Sequence, residues 1–105
     1  MKDLVEGSGR AAVPGATLSV QYVGVLHDGG KQFDASWDRG GDPFTFRLGA
    51  GAVIPGWDRG LVGMKVGGRR ELIIPAEEAY GAQSPSPDIP PNSALIFVID
   101  LESLQ

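Results

Sequence analysis

The side chains that ordinarily carry covalent catalysis are nearly missing from this chain. It has no cysteine and one histidine, His27, which stands beside Asp28-Gly29-Gly30 and reads as a solvated turn residue. A nucleophilic triad therefore has no base, and a zinc or transition-metal site lacks its usual ligands. Glu77-Glu78 does not form an acid-base pair, because adjacent helical residues point in different directions, and it reads as a solvated or capping face. "GAGAV" at 49–53 lacks the Lys-Ser/Thr pair of a phosphate loop. Neither a metal nor a cofactor is expected. What remains is aromatic: Tyr22, Phe33, Trp37, Phe44, Phe46, Trp57, Tyr80 and Phe97 occur in nearly every segment. They form either a plain aromatic core or the walls of an apolar cleft that holds a ligand by shape and desolvation. Their positions at strand ends, in loops and in the first turn of a helix favour the cleft.

The elements that must position them are short. With 16 glycines and 8 prolines the chain is broken into pieces that suit strands and turns. "ATLSVQYVGVL" places Leu18, Val20 and Tyr22 on one face and Val23 and Val25 on the other, and "HDGGK" turns it into a hairpin. "PFTFRLG" alternates Phe44, Phe46 and Leu48 against Thr45 and Arg47, and "RRELIIP" is a strand stopped by Pro75. "SALIFVIDLESL" is apolar on both faces for part of its length, which marks a central strand. One helix is predicted, in "VIPGWDRGLVGM": Pro55 suits its first position, and Leu61 lies four residues beyond Trp57 on the same face. Two turns cannot stand alone, so a sheet must hold it. Gly56 is expected to leave room beside Trp57, and Gly60 and Gly63 to let the sheet approach closely. The predicted fold class is α+β: about five antiparallel strands in one curved sheet wrapped around one short helix.

The 105 residues are read as a single domain, 1–105, of ordinary globular composition, with 42% hydrophobic and 21% charged residues. A net charge of -4 gives no basic field for nucleic acid, and Arg69-Arg70 is too short a run to supply one. No apolar stretch approaches the roughly 20 residues of a membrane span, and "MKDLVEGSGR" is not a signal segment. The expected location is cytoplasmic, or that of a soluble domain cut from a longer secreted chain. "GAQSPSPDIPPNS", after Tyr80, is a long aperiodic loop, either functional or a plain connection.

Together and in order, "VQYVG" (20–24), "FDAS" (33–36), "PFTFRLG" (43–49), "VIPGW" (53–57), "AYG" (79–81) and "IPPNSALIFVIDL" (89–101) resemble the FKBP-type peptidyl-prolyl cis-trans isomerases. The resemblance runs nearly end to end and implies the same fold. It implies a pocket with Trp57 as floor and Tyr22, Phe33, Phe44 and Phe97 as walls. Val53 and Ile54 would form the rim, with Tyr80 and Ile89 on the loop side and Asp34 and Arg39 beside the pocket. The Ile54 N–H and the Tyr80 hydroxyl would donate to ligand carbonyl groups. Tyr22, Phe33, Asp34, Tyr80 and Phe97 are the implied catalytic residues; Arg39, Phe44, Val53, Ile54, Trp57 and Ile89 are the implied binding residues. Phe46 would be core, and Trp37 has no counterpart in the commonest pattern. "SWDRGGDPF" is one residue longer than that pattern, and Ala52 stands where an acidic residue is frequent.

The implied activity is rotation of X-Pro bonds in peptides and unfolded protein clients, without covalent chemistry and without a cofactor. The pocket would also take macrolides such as tacrolimus and rapamycin, and the protein would act as a monomer with no membrane or nucleic-acid partner. The alternative is a module that binds proline peptides with little turnover.

Overall fold

In the computed structural model, which describes all 105 residues apart from the side chain of Arg39, six strands form one antiparallel sheet beside one short helix. The elements are β1 (Lys2–Val5), β2 (Thr17–Leu26), β3 (Gln32–Ala35), β4 (Phe44–Arg47), α1 (Pro55–Gly60), β5 (Arg69–Ile74) and β6 (Leu95–Leu104), with 3₁₀ turns at Ser36–Arg39 and Ala76–Glu78. The sheet order is β1-β5-β6-β2-β3, and β4 pairs with the first half of β2. β6 is central, as its two apolar faces predict. Among the described residues no helix is long and apolar enough to cross a membrane.

Alternation sets the inner face of the sheet. Leu18, Val20, Tyr22 and Gly24 of β2 face inward with Leu101, Ile99 and Phe97 of β6, and Phe44 and Phe46 of β4 lie across from Val20 and Leu18. The core closes on Leu18, Leu48, Leu61, Met64, Leu95 and Ile99, each 2% exposed or less. The sixth strand, β1, escapes sequence reading because "KDLV" is exposed at all four positions and carries no burial pattern. Pairing with β5 holds it in place.

The helix is six residues long and lies directly on β5. A Cβ at Gly56 would come within 2.5 Å of Ile74 Cγ2, and one at Gly60 within 2.8 Å of Leu72 Cδ2. Both glycines therefore let the helix axis close on the sheet. Gly63 does not: it has φ of +85° with open space around its Cβ position, so it serves a left-handed turn instead.

Candidate functional site

The concave face of the sheet and the start of α1 enclose a cleft of about 170 Å³, lined by Tyr22, Phe33, Asp34, Phe44, Ala52, Val53, Ile54, Trp57, Tyr80 and Phe97. Strands β2, β3, β4 and β6 each supply a wall, the loop before α1 supplies the rim, and the helix supplies the floor. Drug-sized sites run to roughly 300–1,000 Å³, so this space suits a small ring, and anything larger must overhang it.

Trp57 is 4% exposed and packs against aromatic rings on several sides. Tyr22 and Phe97 meet it edge to face at 5.1 and 5.2 Å between centroids, and Phe46 and Phe44 follow at 5.6 and 6.1 Å. Aromatic pairs in this geometry gain roughly 0.5–1.5 kcal/mol beyond burial, so the floor is held rigidly. Among the described residues its indole N–H is buried without a hydrogen-bond partner. That omission costs roughly 1–3 kcal/mol and falls at the base of the cleft. Phe46 is core, 6% exposed and stacked on Phe44, whereas Trp37 is 50% exposed.

Phe33 and Asp34 are adjacent in β3, where strict alternation would send them to opposite faces. The β2–β3 register breaks between Gly24 and Val25: Asp34 pairs with Gly24 and Gln32 with Val25, leaving Phe33 unpaired between them. Such an irregularity re-aims side chains, and here both residues line the cleft. Ser36, fully buried, anchors the turn that follows by accepting from the Tyr22 N–H at 2.9 Å and donating to Gln21 Oε1 at 2.5 Å.

The polar groups are few. The Tyr22 hydroxyl donates to Asp34 Oδ2 at 2.6 Å, a short charge-assisted bond. Burial, and then the charge of Asp34, push the Tyr80 phenol above its ordinary 10.0, so its hydroxyl keeps a proton to donate. The Ile54 carbonyl accepts from Trp57 and Asp58 at the helix start, while among the described residues no backbone bond engages the Ile54 N–H. The Asp58 carboxylate accepts from the Gly49 and Gly51 N–H groups at 2.8 and 3.1 Å, which ties the rim loop to the helix.

The structure thus brings together Tyr22, Phe33, Asp34, Phe44, Val53, Ile54, Trp57, Tyr80 and Phe97. Ile89 is not among the lining residues; it is 5% exposed and packs into the core, pinning the long loop. Ser84 Oγ donates to the Ile89 carbonyl, and Asp88 of the same loop pairs with Lys31 in the turn between β2 and β3. The side chain of Arg39 lies outside the described residues. Two supports went unread in the sequence. Gly24 lies beneath the rings of Phe33 and Phe97, and Asp58 holds the rim. A glycine inside a strand was the available signal for the first.

Comparisons with known proteins point the same way. A family profile described as FKBP-type peptidyl-prolyl cis-trans isomerase matches residues 8–102. A Streptomyces anulatus protein named FK506-binding protein is 58% identical over 102 residues, which span 96% of this chain and 82% of that one. An FK506-binding protein of Neisseria meningitidis serogroup A is 50% identical over 101 residues, 96% of this chain and 91% of that one. The crystal structure of AtFKBP13 matches at a TM-score of 0.87 and 43% identity, covering 99% of this chain and 90% of that chain.

Proposed function

This chain belongs to the FKBP-type peptidyl-prolyl cis-trans isomerase family, and from that premise we propose that its aromatic cleft binds the prolyl ring of a peptide and rotates the bond before it. The observation that carries the reading is the cleft itself: rigid, apolar, floored by Trp57 and furnished with a handful of polar groups at one side.

An X-Pro bond resists rotation by roughly 18–20 kcal/mol because resonance gives it double-bond character. Uncatalysed exchange takes about 10–100 s, so a thousand turnovers per second asks the site to lower the barrier by about 5–7 kcal/mol. No bond breaks, so no nucleophile or proton carrier is required. The planar imide is the more charge-separated form, and an apolar pocket disfavours it relative to the twisted one. Rotation is eased by burying the ring on Trp57 between Tyr22, Phe44 and Phe97. The Ile54 N–H and the Tyr80 hydroxyl donate to carbonyl groups on either side of the ring, while Asp34, held by Tyr22, faces the twisting bond. The same floor and donors would receive a macrolide of the FK506 kind, most of which overhangs the cleft. Unfolded chains, which expose X-Pro bonds, are the natural substrates, and the protein acts as a monomer.

A protease-coupled assay on a short X-Pro peptide tests this reading. Wild type accelerates the cis-to-trans step in proportion to its concentration, and Phe33→Ala and Asp34→Ala do so less. Equal rates with and without wild type would overturn it.

A further inference from the structure

Among the described residues Arg70 is the one buried charge, at 4% exposure, and it occupies a position where the sheet calls for an apolar side chain. Arg70, Leu72 and Ile74 form the inner face of β5, paired with Ile99, Phe97 and Leu95 of β6. A buried guanidinium is costly unless its donors are satisfied. Arg70 Nη1 donates to the carbonyls of Gly60 at 2.9 Å and Val62 at 3.1 Å, at and just beyond the end of α1. Its Nε and Nη2 hold the two carboxylate oxygens of Asp3 at 2.6 and 3.3 Å.

These contacts complete a seat for the helix. The three inner side chains of β5 meet α1 in turn: Ile74 against Gly56, Leu72 against Gly60, and Arg70 against the terminal carbonyls. Carbonyls at a helix end have no partner within the helix, and six residues cannot hold themselves in place. Trp57, the floor of the cleft, follows Gly56 directly. β5 and β1 supply no lining residue, yet one seats the floor and the other holds the arginine that ends the seat.

We propose that Arg70 is a positioning residue for the pocket floor, fixing α1 and hence Trp57, and that Asp3 on the N-terminal strand sets how firmly it does so. The proposal rests on reading the cleft as a proline site, and it makes β1 a distant determinant of affinity.

The test uses the full chain with Trp37→Phe, which leaves Trp57 as the single tryptophan. Arg70→Leu fills the site with apolar bulk and leaves Asp3 to solvent. Well below the melting temperature, it is expected to shift the Trp57 emission maximum and weaken binding of a proline-containing peptide at least about fivefold, entering KM more than kcat. Arg70→Lys reaches either the carbonyls or Asp3 but not both and falls between. Asp3→Asn moves both readouts the same way by less. Unchanged emission and affinity in a folded Arg70→Leu protein would overturn the positioning role. Unchanged values in Asp3→Asn would overturn the link to β1. Absence of peptide binding by wild type would refute the proline reading alone, since Trp57 emission still reports where the floor sits.

Discussion

Gly24→Ala is the perturbation whose effect follows most directly from the geometry. The added Cβ would lie 2.6 and 2.9 Å from Phe33 Cζ and Cε1, and 2.8 Å from Phe97 Cε1. Carbon atoms prefer a separation of about 3.5–4.0 Å, so both rings must retreat by roughly 1 Å. The rings already meet edge to face at 5.5 Å, and both line the cleft, so the displacement is delivered to the site. A misplacement of about 1 Å costs on the order of 10²-fold in rate. Stability is pulled both ways. Overpacking costs roughly 1–3 kcal/mol, and alanine in a strand recovers about 0.5–1 kcal/mol over glycine. The clash wins, and each net kcal/mol lowers Tm by about 4–8 °C in a domain of this size. The assays are kcat/KM on an X-Pro peptide and thermal unfolding. An unchanged kcat/KM together with a raised Tm would refute the claim that this glycine supports the two rings.

Other consequences are equally concrete. Tyr22→Phe removes the 2.6 Å bond to Asp34; a hydrogen bond to a charged group is worth about 1.5–3 kcal/mol, so kcat/KM falls by tenfold or more while Tm changes less, because water reaches the half-buried carboxylate. Asp58→Ala frees the Gly49 and Gly51 N–H groups, and should raise the peptide Kd and cost about 1–2 kcal/mol in urea unfolding after allowance for solvent. Hydrogen bonding from Arg70 holds the Asp3 carboxyl below its ordinary 3.8. A depressed carboxylate stabilises the fold above its unfolded pKa and loses that effect as pH falls through the folded one. The Tm gap between wild type and Asp3→Asn is therefore constant above about pH 4 and closes below it. Because the Tyr80 pKa is raised, its hydroxyl remains a donor throughout, and Tyr80→Phe lowers kcat/KM by the same factor from about pH 6 to pH 9.

Much of this architecture was legible residue by residue. Alternation in β2, β4 and β6 identified the inner face, and Pro55 ahead of Trp57 marked the helix that forms the floor. The parts that stayed hidden are those in which tertiary contact overrides local pattern. β1 has no buried residue to announce it. Arg70, in the sequence only half of a short basic pair, proves to be the buried end of a helix seat. Phe33 and Asp34 share one side only because the pairing register breaks beneath them. Ile89 is buried by a loop that its own hydrogen bonds fold back, where no periodicity announces it. Periodicity describes a strand paired evenly with its neighbours; Phe33 and Asp34 lie where that pairing breaks and Ile89 where no strand runs, whereas Arg70 keeps the alternation of β5 and is hidden by its charge instead.

A cleft that turns over an X-Pro bond differs measurably from one that merely holds it. Exchange spectroscopy by NMR on a proline peptide in large excess measures this without a protease. Cis-trans exchange cross-peaks are expected to grow with catalytic amounts of wild-type protein and to vanish when a macrolide occupies the cleft. Peptide resonances that shift on binding while the exchange rate stays at its uncatalysed value would contradict turnover.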